Sequence, residues 1–196
     1  MLNGYDYEIL NRKYGVRVFL SWNGISKPNI ISIVSLHYDR YRIIYIGRDE
    51  RKGLKDMISI IPFIVGKVPK ASFVLIGPNV NLQNTTSYVF VSERKKWSLL
   101  CSSGLLVSPT YHEAFSLTIA EALLCGLPVI TYDLPELKAI YSDCRSVFFV
   151  KKGDLNALRD AIIKLMNIGD EEYKALRTMP LGAVVNLIGS MSLSVS

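Results

Sequence analysis

The sequence predicts an α/β fold built on a doubly wound, Rossmann-like parallel sheet, and three observations predict it. From residue 42 onward, short β-branched and aromatic runs alternate with stretches of helical period. The runs are apolar throughout, as strands buried on both faces are. The 196 residues, 49% apolar and 20% charged, suit one well-buried domain and leave no room for two of ordinary size.

In chain order, the first forty residues stand outside the alternation. Residues 1–15 read as a helix end and turn, residues 16–22 (VRVFLSW) as a strand, and residues 23–29 as a turn-rich connection. Residues 1–39 are thus expected to be the end of another domain plus a linker. Strands follow at RIIYIG (42–47), SFVLIG (72–77), YVFVS (88–92), GLLVSP (104–109), PVITYD (128–133) and SVFFV (146–150), each closed by turn residues, with their Tyr and Phe side chains expected in the core. Helices are predicted over 54–68, 93–102, 117–125 and 135–141. After the last strand, Leu155, Leu158, Ala161, Ile162, Leu165 and Met166 recur at helical spacing, with Asp154 as N-cap and Gly169 just past the end. Right-handed crossovers then place helices on both faces of the sheet, giving one domain over 40–178. Residues 179–196 form an uncharged, Gly- and Ser-punctuated tail, and no internal repeat is present.

Composition narrows the function classes. No basic region leads into an apolar run near Met1, and no apolar stretch is long enough for a bilayer span. The expected location is cytoplasmic, with peripheral contact at the inner membrane face as a variant. Cys101, Cys125 and Cys144 lack a C-x-x-C pair, so a zinc site or a disulfide framework is not expected, and reduced core thiols are. The net charge of +6 concentrates where Arg40, Arg42, Arg48, Arg51, Lys52 and Lys55 outnumber Asp49, Glu50 and Asp56. That window has no helical basic face and no interleaved aromatics, which argues against nucleic acid and for a compact anion.

Two carboxylates define the candidate site. Glu113 follows the strand at 104–109, and Glu121 lies eight positions on, inside a helix whose Leu117, Ile119, Ala120, Leu123 and Leu124 leave it little polar face. Ligands of an open parallel sheet sit beyond the carboxyl ends of its strands, and the start of that helix near Ser116 favours a phosphate. Glu121 is roughly 7 Å along the axis from this start at ~1.5 Å per residue. A molecule with hydroxyls at both ends and a diphosphate between, such as a nucleotide sugar, suits the layout.

At this point a resemblance becomes specific. SPTYHEAFSLTIAEALLCGLPVI (108–130) resembles the donor-site segment of the retaining GT-B glycosyltransferases of family 4, also called group 1. Its elements are an E, a small-aromatic-small triplet, an E-A eight after the first E, and G-x-P-V-I. IIYIGRDERKG (43–53) resembles the same family's G-R…K-G loop, about sixty residues earlier. The resemblance implies the C-terminal, donor-binding half of such an enzyme, acting without a metal or a further cofactor on a nucleoside-diphosphate sugar. Glu113 would bind sugar hydroxyls, the backbone around Phe115, Ser116 and Leu117 would face sugar and diphosphate, and Glu121 would take the ribose. Arg48 and Lys52 would neutralise the diphosphate and, with Glu113, form the catalytic set. Ala114 and Ser116 stand where the triplet usually has glycines, and Arg48 and Lys52 are one residue closer than is commonest.

Other classes fit less well. The G-x-G-x-x-G of a dehydrogenase, the G-K-[ST] of a P-loop and the D-x-D of a metal-dependent transferase are all absent. His112 is expected to be a loop residue satisfied by a neighbour, and Asp133 and Glu136 lie within reach of the same crevice. The alternative function is a non-catalytic nucleotide-binding module or a subunit that depends on a partner, because the acceptor-binding first domain of the resembled enzymes has no room in this chain. A separate acceptor-domain chain or self-association is the partner expected, and the chain alone is expected not to transfer sugar.

Overall fold

The computed structural model describes residues 38–177; the strand expected at 16–22, all but the last two residues of the domain end and linker expected over 1–39, and the tail at 179–196 lie outside them. Six strands, β1 (Arg42–Ile46), β2 (Ser72–Ile76), β3 (Thr85–Tyr88), β4 (Leu105–Ser108), β5 (Val129–Tyr132) and β6 (Val147–Val150), pair in the order β3-β2-β1-β4-β5-β6. Every pairing is parallel. The order reverses between β1 and β4, where the chain leaves one half of the sheet for the other. In a parallel sheet such a reversal opens a crevice at the carboxyl ends of the two strands.

The helices are α1 (Leu54–Lys67), α2 (Glu93–Cys101), α3 (Leu117–Leu124), α4 (Pro135–Tyr141), α5 (Leu155–Asn167) and α6 (Asp170–Arg177). Successive strand side chains point to opposite faces, so each strand feeds two cores. Ile43 and Tyr45 of β1 join Met57, Ile60 and Ile64 of α1 and Leu158 and Ile162 of α5. Ile44 goes the other way, to Leu100 of α2, Ile119 and Leu123 of α3 and Leu137 of α4. Burial of this two-sided set is what drives the chain to the predicted architecture. Asp154 caps α5 as expected, its carboxylate accepting from the Ala157 amide at 2.9 Å.

Three expectations are corrected, and one helix is added. The strand placed at 88–92 is Thr85–Tyr88, because pairing with β2 runs from Phe73↔Thr85 to Ile76↔Tyr88 and ends where β2 ends. Phe90, expected in the core, is therefore 78% exposed. A further helix, α6, follows Gly169, held by Tyr173, whose hydroxyl donates to the Gly104 carbonyl. Cys101 and Cys125 form a disulfide, with Cα atoms 4.9 Å apart at the ends of α2 and α3. Their spacing of 24 residues carries no sign of this; packing of α2 on α3 creates the proximity. Cys144 is the buried free thiol, and burial pushes its pKa up to about 11.

Candidate functional site

One wall of the crevice is the loop after β1. Asp49 caps a single 3-10 turn, Glu50–Lys52, by accepting from the Lys52 amide at 3.1 Å. Arg51 donates to the same carboxylate at 3.0 Å, and that hydrogen bond holds Asp49 below its ordinary pKa. Gly53 closes the turn at φ 75, with an ideal Cβ only 1.9 Å from the Pro109 carbonyl oxygen. Glycine alone permits so close an approach. The Arg51 carbonyl then accepts from the Tyr111 amide at 2.7 Å and the Thr110 hydroxyl at 3.1 Å. Below the turn, the hydroxyls of Tyr111 and Tyr132 both donate to Asp56 of α1.

This stitching brings two predicted residues together. Lys52 Nζ forms an ion pair with Glu113 Oε2. Arg48 is not drawn into that pair: its Nη2 donates to the Val89 carbonyl at 2.7 Å, across the carboxyl end of β2. Gly77 makes room for this at φ 122, since a Cβ there would lie 2.7 Å from Arg48 Cγ. The exposed side chains of Val89 and Phe90 flank the Arg48 contact.

The second wall is the start of α3. Phe115 is buried, and the Tyr141 hydroxyl is shared between the carbonyls of Phe115 and Ser116 at 3.0 and 3.3 Å. Ser116 takes φ 59, a left-handed backbone that explains why glycine suits this place, and its Oγ caps the Ile119 amide at 3.4 Å. The first amides of a helix lack intrahelical partners, so Leu117 and Thr118 present N–H groups at this end. Leu117 is exposed, and Glu121 lies one turn further on the same stripe.

Glu121 is not the unpaired acid its apolar helix suggests. Lys96 of α2 donates to its Oε1 at 2.8 Å and to Glu93 at 2.9 Å. Burial raises the pKa of Glu121, with Lys96 opposing. Burial pulls Lys96 down, but its bonds to Glu121 and Glu93 outweigh that and leave it raised. Nothing local in the sequence marks Lys96, because its partner is 25 residues away on another helix.

Of the remaining candidates, Asp133 is engaged structurally, accepting from the Lys152 amide at 2.9 Å and from Lys138 at 3.3 Å. Its pKa is lowered: burial works upward, and the Lys152 amide and Lys138 outweigh it. His112 is exposed and, with Arg51, Lys55 and Tyr111, lines a depression beside the loop. Among the described residues no group of three or more His, Cys, Asp or Glu is placed to hold a metal ion, and no helix is long and apolar enough to cross a membrane.

Known proteins resemble this chain in sequence and in fold. The family model described as Glycosyl transferases group 1 matches residues 40–167. The chain is 27% identical over 142 residues to the capsular polysaccharide biosynthesis glycosyltransferase CapM of Staphylococcus aureus, covering 66% of this chain and 37% of CapM. It is 24% identical over 168 residues to the poly(glycerol-phosphate) alpha-glucosyltransferase of Bacillus subtilis, covering 76% of this chain and 24% of that protein. The chain thus spans well under half the length of these relatives. Among solved structures, TarM superposes with a TM-score of 0.74 at 18% identity, over 98% of this chain and 40% of TarM. Sucrose-phosphate synthase of Thermosynechococcus elongatus gives 0.71 at 19% identity, over 95% of this chain and 53% of that one. At such identities the structural likeness concerns the fold.

Proposed function

Because the chain belongs to the group 1 glycosyltransferases, with a match over residues 40–167, we propose that it binds the donor of a retaining sugar transfer. The donor is a nucleoside-diphosphate hexose, and the acceptor a glycan, lipid or small molecule. The observation that carries this reading is the Lys52–Glu113 ion pair at the β1/β4 reversal, beside the open N-terminus of α3.

The pair leaves capacity for a ligand. An ammonium has three donors and a guanidinium five, so Lys52 and Arg48 each keep N–H groups beyond the bonds they make to Glu113 and Val89. Charge grows on the leaving diphosphate as the glycosidic bond breaks. Fixed cations and helix N–H groups at that place stabilise the transition state more than the bound donor. Glu113, poised against Lys52, accepts from the sugar hydroxyls, and Glu121 from the ribose. The acceptor must be held near the anomeric carbon with water excluded, and we assign that task to a second domain or partner chain.

Calorimetry with UDP, GDP and ADP and their sugar esters tests the proposal. Binding that persists in excess chelator is expected from at least one. No heat from any of them at millimolar concentration overturns it.

A further inference from the structure

The ion pair between α2 and α3 is the strongest feature that the donor reading does not use. Lys96 stands between Glu93, on its own helix, and Glu121, on the next. The two carboxylates differ: the Glu93 side chain is 78% exposed and that of Glu121 only 12%. Lys96, 17% exposed, already has a counter-charge in Glu93 on its own helix, whereas the buried Glu121 carboxylate has Lys96 as its cation among the described residues. The arrangement therefore serves Glu121.

It does so without using the carboxylate up. Lys96 bonds Oε1, while Oε2 takes no hydrogen bond from any described residue. The Glu121 side chain keeps 12% of its surface exposed. One oxygen is anchored and the other is open, on the helical stripe that carries the exposed Leu117 and its amide. Leu117 and Glu121 are separated by roughly 6 Å of helix rise, a span that suits a phosphate and a ribose in sequence. The Cys101–Cys125 disulfide braces the same two helices one turn beyond Glu121.

We infer that Lys96 is a positioning residue of the donor site, fixing Glu121 as a charged acceptor whose open oxygen takes the vicinal hydroxyls of the donor's ribose. This rests on the donor reading above. Lys96 acts through Glu121 and does not touch the reacting atoms. α3 packs on α2, β4 and β5. Among the described residues the charges acting on Glu121 are Lys96 and Glu93, both on α2. β4 and β5 carry no charged residue, and Tyr132 of β5 belongs to the opposite core, bound to Asp56. Removing the Lys96 charge thus leaves burial and Glu93, both of which favour the protonated acid. A protonated Glu121 is a poorer acceptor, so ribose recognition is lost from the acid side.

The experiment measures affinity against pH for the tightest-binding nucleoside diphosphate and its 2′,3′-dideoxy counterpart, with the wild-type chain, Lys96→Met, Lys96→Arg and Glu93→Gln. Lys96→Met is expected to move the pH at which ribonucleotide affinity is half lost upward by about one unit, a tenfold weakening at the lower pH. The dideoxy ligand is unaffected, Lys96→Arg restores the wild-type profile, and Glu93→Gln does not raise the midpoint. An unchanged pH profile in Lys96→Met, or an equal shift for both ligands, overturns the inference and leaves the donor reading standing. Absence of nucleotide binding by the wild type overturns the donor reading and the inference with it. If Lys96→Met does not fold, a carbon-13 titration of the Glu121 carboxyl in the wild type, with and without nucleotide, decides the matter. A nucleotide that leaves its titration unchanged overturns the inference, and one that lowers it supports it.

Discussion

The two carboxylates of the candidate site are each paired with a lysine, yet the pairs are built differently. Glu113 meets Lys52 across two loops, and the lysine side chain is 41% exposed; Glu121 meets Lys96 across two packed helices, with the lysine at 17%. The loop pair is held by turns, a glycine contact and hydroxyl bonds to Asp56. The helix pair is held by apolar packing and a disulfide. Exposed ion pairs contribute little to stability, while a buried carboxylate without its cation is costly. Both carboxylates are largely buried, at 17% for Glu113 and 12% for Glu121, so the pairs differ in the lysine: Lys52 reaches solvent and Lys96 is fixed between helices.

The largest effects should come from breaking each wall's backbone. Gly53→Val, which places a side chain against Pro109 at positive φ, is expected to cost about 3 to 4 kcal/mol by denaturant midpoint. It should also separate Lys52 from Glu113. On the second wall, replacing Cys101 and Cys125 by Ser is expected to cost about 3 to 3.5 kcal/mol, from the loop closed by a sequence separation of 24. A thermal scan with and without reductant checks it: the wild type loses stability on reduction and the double variant does not respond.

Ligand effects sharpen the same contrast. Arg48→Ala and Lys52→Ala are each expected to weaken diphosphate binding by about 1.5 to 3 kcal/mol, more at low salt, because charge-assisted bonds to phosphate oxygens are removed. A nucleoside lacking phosphates should be unaffected in calorimetry. Equal losses for both ligands would detach this loop from phosphate.

The smallest effect concerns pH. Asp49 is held below its ordinary pKa by Arg51 and the Lys52 amide. Its contribution is therefore present above the unfolded value of 3.8 and lost as pH falls through the lower folded value. Asp49→Asn should flatten that acid limb of the stability curve and leave stability above pH 6 nearly parallel to wild type. Unfolding curves from pH 2 to 7 decide it.

Much of this was legible in the residues, for identifiable reasons. The strands at 42–47, 72–77 and 104–109 are apolar because helices cover both faces, so hydrophobicity alone located them. The same signal misplaced β3, since Val89, Phe90 and Val91 look like a strand while the length of β2 decides where pairing stops. Lys52 and Glu113 are found through motifs fixed by short loops. Lys96 and the Cys101–Cys125 pair depend on how α2 lies against α3, which local sequence does not encode. The left-handed Ser116 shows the opposite case, a backbone demand met by a residue whose hydroxyl caps the helix it opens.

The strand order has a consequence for how the site comes into being. β1 and β2 share a register of five residue pairs and are joined by one helix, whereas β1 and β4 share only Ile43↔Leu105 and Ile44↔Leu106 and are about sixty residues apart in the chain. Closing so long a loop for so short a ladder sets an entropic barrier that local pairing does not face. The β1–β2 hemisphere can gather early, but Lys52 has no Glu113 to meet until the β4–β5 hemisphere docks. Appearance of the Lys52–Glu113 contact therefore times the docking step, and a probe at Tyr111, whose amide bonds Arg51 only in the docked sheet, would follow it during refolding.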